Sequence, residues 1–326
     1  MDKLKIMIII SMLLAFVSGN LFSLNKNATS ILIIEYLIFF TGIAAIVAFI
    51  IFRKQSTLFI TKLRDWYGFG IVFLSGAILW NFILNYLGVS GLLYVTLFTL
   101  FSGLMAVIYG WTWQRYLNAW SIFCCAMWSA WIGSTWNLNM VFEIFAGMCV
   151  YDIIAVFRTK IMSNLILKIL QAKTIPPMFL TDMDIPAVVN RLNGGALDKS
   201  KPIKGHLWGG GDIILGTMLP IAVSIHYGII WGIILFFAEI LGIMLNFRIV
   251  DNRRVGLPAL PLLFSSEVAA YVLLSFFNYF GFGSLIGGVI ILGVTYWSID
   301  RMAVWQRKKI DALKAKQEEE KKANKT

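Results

Sequence analysis

"HLWGGGDIILGTMLPIAVSIHY", residues 206–227, sets three glycines and then an aspartate, Asp212, at the threshold of a long apolar run. An ionisable side chain at that position is ordinary in water and unfavourable in hydrocarbon, so the surroundings decide how the stretch is understood. Apolar residues make up 59% of the 326, charged residues 14%, and the mean hydropathy is +0.78. Water-soluble domains of this length do not have such a composition. The chain reads as an all-α polytopic membrane protein.

Windows of about 17 to 22 apolar residues, each able to cross about 30 Å of hydrocarbon as a helix, recur along the chain. Ten are expected, near residues 6–22, 31–52, 69–88, 90–112, 119–136, 139–157, 208–226, 229–247, 257–277 and 280–298. Basic residues provide an independent test, because they collect in cytoplasmic loops. With an inside N-terminus, 27 of the 28 Lys and Arg residues fall in inner segments and only Lys26 lies outside. The net charge of +11 is therefore topological, and no nucleic-acid partner is implied. A multi-pass protein of the cell membrane, with both termini cytoplasmic, is the expectation.

Lys3 and Lys5 before the first apolar core, with Val17-Ser18-Gly19 after it, also fit a cleavable secretory signal; removal would leave every later span in place. Asn27-Ala28-Thr29 matches a glycosylation sequon, but in a short outer loop close to lipid, and is taken as chance. Cys124, Cys125 and Cys149 fall within spans, and adjacent cysteines on a helix point apart, so neither a disulfide framework nor a metal set is suggested. His206 and His226 lie on opposite sides of the expected topology. No metal or cofactor is called for.

Four regions are expected. Residues 1–157 hold six spans, and 158–206 form a cytoplasmic loop. Residues 207–298 hold the remaining spans, and 299–326 form a basic cytoplasmic tail, either a solvated helix or a disordered segment touching anionic lipid. Within the loop, "IMSNLILKILQA" from Ile161 to Ala172 places its apolar residues at helical spacing and predicts an amphipathic helix at the interface. The stretch from Pro176-Pro177 to Lys201 suits a mobile loop.

The carboxylates within the apolar regions are Glu35, Glu143, Asp152, Asp212, Glu239 and Glu267. Asp152 lies about six residues, or about 9 Å at 1.5 Å per residue, below the inner surface on the sixth span, and Asp212 lies equally deep on the seventh. Antiparallel neighbours carrying carboxylates at one level can share a single water. Both cannot ionise cheaply in a low dielectric, so one stays a base while the other keeps its proton. That pairing suits hydrolysis of an amide through a tetrahedral diol.

Gly209, Gly210 and Gly211 carry no side chains, so a helix or an extended substrate can approach the carboxylate, and they weaken the start of the helix. "GLPALPLL", Gly256 to Leu263, opens the ninth span at the same surface. Pro258 and Pro261 disturb its first turn and leave backbone groups beside the active level, where an unwound substrate could bond as an added strand.

Tyr151-Asp152, Gly209-Gly210-Gly211-Asp212 and Pro258-Ala259-Leu260, in this order on the sixth, seventh and ninth spans, resemble the YD, GxGD and PAL motifs of presenilins and signal peptide peptidases. The compact chain, short loops and few cysteines are similar to the archaeal presenilin homologues. The resemblance implies a bundle of nine transmembrane helices and an intramembrane aspartyl protease cutting transmembrane helices or signal peptides. By match it makes Asp152 and Asp212 catalytic and places Tyr151 in the site. Gly209, Gly210 and Gly211 admit substrate, while Pro258, Ala259 and Leu260 position it. A tenth span, Phe280 to Trp297, departs from the family pattern and returns the C-terminus to the cytoplasm.

The partners implied are transmembrane-helix substrates and the bilayer, with a second copy or an accessory membrane protein as a further contact. Two alternatives stand beside the protease reading. A prepilin-type peptidase also uses a GxGD motif, but Ile214 occupies the position where those enzymes resemble GxGDxK. A proton-coupled transporter would use Asp152, Asp212, Glu239 and Glu267 as a relay.

Overall fold

In the computed structural model, residues 2–24, 57–158, 179–181, 207–253, 257–280 and 282–323 are described. The helices are α1 (Asp2–Ser23), α2 (Thr57–Tyr86), α3 (Gly91–Thr135), α4 (Leu138–Ile153), α5 (Gly210–Tyr227), α6 (Ile229–Arg253), α7 (Leu260–Phe280) and α8 (Phe282–Ala323). A π-helical turn, Ile154–Arg158, continues α4. Two short strands, β1 (Phe179–Thr181) and β2 (Leu207–Gly209), pair antiparallel with Leu180 opposite Trp208. The expected span at 31–52 and the amphipathic helix at 161–172 lie outside the described residues.

Six helical stretches among the described residues are long and apolar enough to cross a membrane: Lys3–Ser23, Gly68–Tyr86, Gly91–Thr112, Leu138–Phe157, Ile229–Asn252 and Gly283–Lys308. Their surfaces are those of a protein dissolved in lipid. Leu285, Ile286, Val289, Ile290 and Val294 on α8, and Leu92, Leu93 and Val95 on α3, are exposed. Buried serines turn inward instead. Ser75, Ser121 and Ser129 donate to the carbonyls of Ile71, Leu117 and Cys125, one turn earlier on their own helices, because hydrocarbon offers no other acceptor.

One difference from the sequence reading lies between the fourth and fifth spans. They run as a single element, α3, broken only by a kink at Tyr116 (φ −121°, ψ 28°). No proline or glycine stands at the break, and Arg115 stacks over the Tyr116 ring. The connection therefore stays helical rather than opening into a loop. Glycines make two of the turns between helices. Gly88 adopts φ 68° after α2, with its amide bonded to Asn85 O and that of Val89 to Leu84 O, a Schellman closure; Gly228 at φ 103° separates α5 from α6. Asn137 starts α4 by accepting from the Met140 amide at 2.8 Å.

The described chain forms two compact units, residues 1–136 with 166–221, and residues 137–165 with 222–326. In the first, α1 and α2 pack on α3. A Cβ on Gly19 would meet Ile221 at 2.6 Å, and one on Gly133 would meet Met218 O at 2.8 Å, so small residues let α5 seat against α1 and α3. The strand β1 is tied to this unit by Asn118 of α3, whose side-chain amide donates to Thr181 O (2.8 Å) and accepts from Thr181 N (3.0 Å). A stretch read as loop thus holds an ordered strand, because a side chain supplies the ladder bonds that a third strand would otherwise make.

In the second unit, α7 packs on α6, α8 and α4. Gly242 brings α6 against the α7 backbone, where a Cβ would lie 2.9 Å from both Leu262 O and Leu263 Cα. Gly288 does the same for α8 against Ala269 O, at 3.0 Å. Ile249, Leu262, Ile299 and Ala303 form a buried cluster from all three helices. The tenth expected span is therefore an integral part of this unit, and its helix continues into the basic tail as far as Ala323.

Candidate active site

Each unit presents one of the two aspartates. In the second unit Asp152 sits at the end of α4 and is only 6% exposed, while the adjacent Tyr151 is 47% exposed. Neighbouring residues on a helix point about 100° apart, which is how one position turns into the packing and the next out of it. What Asp152 turns toward is the start of α7. The amide of Leu260, the first residue of that helix, donates to Asp152 Oδ2 at 3.3 Å, and the amide of Ala259 also bonds the carboxylate.

The chemistry of a helix start explains this bond. The first amides of a helix have no partner within it and attract a negative group. Pro261 supplies no amide, and the amides of Leu262 and Leu263 both turn back to Ala259 O at 3.2 Å. That leaves Ala259 and Leu260 as donors, and Asp152 accepts from them. The two prolines thus thin out the donors so that the remaining pair converges on one carboxylate. Pro258, Ala259 and Leu260 are all buried, together with Pro261.

A residue missed in the sequence holds this segment in place. Asn246 of α6, 1% exposed, donates from Nδ2 to Pro258 O at 3.1 Å. The available signal was an amide side chain within the apolar run of that helix, which has to find a partner once buried. Asn246→Ala leaves the buried carbonyl of Pro258 without its donor and is expected to lower stability by about 1–3 kcal/mol. Hydrogen exchange at the Ala259 and Leu260 amides should accelerate with it. Unchanged exchange would mean that the prolines alone hold the segment.

In the first unit the three glycines occupy a junction. Strand β2 ends at Gly209 and α5 begins at Gly210, so Asp212 is the third residue of a helix and lies in its first turn. Its carboxylate folds back toward the strand end, since a Cβ on Gly209 would lie 3.5 Å from Asp212 Oδ2. Gly210 is buried and Gly211 exposed, and a Cβ on Gly211 would meet no described atom within 4 Å. Neither Gly209 nor Gly211 is among the glycines of positive φ. Neither conformation nor packing among the described residues therefore demands a glycine at 209 or 211. Cys125 of α3 lies within electrostatic reach of Asp212.

Tyr151, Asp152, Pro258, Ala259 and Leu260 are thus brought together in one unit, and Gly209, Gly210, Gly211 and Asp212 in the other. No group of three or more His, Cys, Asp or Glu side chains that could hold a metal ion occurs among the described residues.

No protein-family model matches the sequence, and no curated protein matches it. Its structure does find a likeness. A structure described as a presenilin family intramembrane aspartate protease aligns with TM-score 0.50 over 84% of this chain and 96% of that one, at 15% sequence identity. Identity that low speaks for the architecture rather than for the chemistry. In its predominantly helical, membrane-spanning architecture the chain shares the fold of that presenilin-family intramembrane aspartate protease.

Proposed function

We propose that this protein is an intramembrane aspartyl protease that hydrolyses peptide bonds within transmembrane helices or signal peptides, with Asp152 and Asp212 as its dyad. The observation that carries the reading is the anchoring of Asp152. A carboxylate buried near the end of an apolar helix is accounted for by converging amides of the Pro258-Ala259-Leu260 segment, in a chain with the fold of a presenilin-family protease. Burial on this scale is unusual for a carboxylate that only caps a helix.

In the proposed reaction the ionised member of the dyad takes a proton from water as that water attacks the substrate carbonyl, while the protonated member donates to the carbonyl oxygen. The resulting diol collapses as the now ionised second aspartate takes a proton from one of its hydroxyls, the C–N bond breaks, and the departing amine receives a proton from the aspartate that had acted as base. Tyr151 presents its ring beside Asp152 to the arriving helix. Open space at Gly211 and the strand end at Gly209 receive backbone that has unwound, since extended backbone satisfies itself against strand-like groups. The chain acts as a multi-pass protein of the cell membrane with both termini cytoplasmic and residues 158–206 forming an inner loop. A second copy or an accessory membrane protein is the partner its apolar surface would take.

The test is cleavage of a labelled transmembrane peptide by the purified protein in detergent, with a diol-mimicking inhibitor as a binding probe. A peptide whose helix contains Gly or Pro near its middle is expected to be cut about tenfold or more faster than a helix-stabilised version, because unwinding precedes attack. Equal rates would remove unwinding from the mechanism. Proton-driven flux into vesicles, with no cleavage and no aspartate-dependent inhibitor binding, would favour a transporter.

A further inference from the structure

Two further carboxylates lie deep in the second unit, and the proposed reaction uses neither. Glu239 on α6 and Glu267 on α7 are both 0% exposed, and they act on one another electrostatically. Neither carboxylate oxygen of Glu267 has a hydrogen-bond donor among the described residues. Two ionised carboxylates facing each other in hydrocarbon would combine the loss of hydration of both charges with their mutual repulsion. Something must stand between them. Two acceptors cannot bond to one another until one of them carries a proton.

Their place in the helices gives the pair a role. Glu239 lies seven residues before Asn246 on α6, and Glu267 lies seven residues after Leu260 on α7. Seven residues are about two turns and return to nearly the same face. One seam between antiparallel helices therefore runs from the Asn246 bond to Pro258, past the close approach at Gly242, to the two glutamates. The elements packed on α7 carry other titratable groups: Arg248 and Asp251 on α6, Glu143, Cys149, Tyr151 and Asp152 on α4, Tyr296, Asp300 and Arg301 on α8, and Tyr271 on α7 itself. Asp152 is engaged with Leu260, and the Tyr271 hydroxyl with that of Tyr227 at 3.0 Å. Glu239 is the group that acts on Glu267.

We propose that Glu239 and Glu267 are a proton-sharing carboxyl pair that latches α6 to α7 and thereby keeps the Pro258-Ala259-Leu260 segment seated on Asp152. A carboxyl O–H on one donates to the other's oxygen, closing the seam two turns from the site with a bond that neither residue can form alone. The seating role rests on the protease reading, whereas the proton itself does not.

Infrared spectroscopy of the full-length protein tests it without requiring activity. The Asp152→Asn/Asp212→Asn background removes the proposed dyad's own carboxyl band. In that background a protonated-carboxyl C=O stretch that moves in D2O is expected, and Glu267→Gln should remove or shift it. Should that variant fail to fold, glutamate labelled with 13C at the side-chain carboxyl in the otherwise unchanged background should shift the same band. A spectrum with no glutamate-derived protonated-carboxyl band would overturn the proposal, and ionised carboxylates balanced by a bound cation would give that spectrum.

Hydrogen exchange tests the latch. Glu267→Ala should speed exchange at the amides of Ala259, Leu260, Leu262 and Leu263 by about tenfold or more, whereas Glu267→Gln, whose amide can donate in place of the carboxyl, should remain near wild type. Equal exchange in the wild type and both variants would overturn the latch even if the shared proton is present. Absence of peptide cleavage by the wild-type protein, with the infrared band present in the doubly substituted background, would count against the protease reading alone.

Discussion

Asp152→Asn is expected to lower peptide cleavage by about 10³-fold or more while the protein remains folded, and Asp212→Asn to do the same. The choice of asparagine follows from the bond to α7. The substituted side chain keeps an oxygen to accept from the Leu260 amide, so the N-terminus of the helix remains capped, but a carboxamide can neither take nor give the proton that the reaction needs. Asp152→Ala loses both roles and should in addition destabilise by about 1–2 kcal/mol, the usual effect of deleting a helix cap. Comparing thermal stability and initial rate for the two substitutions separates the roles. Full cleavage by Asp152→Asn would leave Asp152 a structural cap and end the dyad reading.

The second large effect is expected at the glycine run, where stability and activity should part company. At Gly211 an added Cβ would meet no described atom within 4 Å, and at Gly209 only an ordinary contact with Asp212. Valine should therefore fold at either position, with stability within about 1 kcal/mol of wild type, because a site that is exposed (Gly211) or half-buried (Gly209), without positive φ and without a close Cβ contact, tolerates substitution. Cleavage should nevertheless fall by about 10- to 100-fold in kcat/KM, since the branched side chain fills the space left for the substrate backbone and misplaces it. Inhibitor binding should weaken in parallel. Undiminished cleavage by Gly211→Val would reduce the run to a device for starting α5.

Much of this architecture was legible because lipid makes a one-dimensional demand. A span must be apolar for about 20 residues whatever it packs against, so α1, α2, α4, α6 and α8 are visible in the order of residues alone. The helix joining the fourth and fifth spans was not, because Arg115 signals an aqueous level equally well from a loop or from a kink. The strand β1 was hidden for a different reason. Its order depends on Asn118, 63 positions away, and on pairing with Leu207 to Gly209, and neither is a local property of "FLT". Asn246 gave only the weak sign of one polar side chain among apolar ones.

The sequence by itself indicated that the chain crosses a membrane and which segments are apolar enough to do so, and it led to the expectation that Asp152, Asp212 and the Pro258-Ala259-Leu260 segment enter it from one side. These follow from hydropathy, the charge of the loops and the depth reached at a fixed rise per residue, all of which are counted along the chain. Tertiary structure alone decided what Asp152 bonds to, that Asn246 holds Pro258, and that Glu239 and Glu267 share a seam. Those depend on the rotation of each helix about its axis, and that rotation is set by close approaches such as the one at Gly242 rather than by composition.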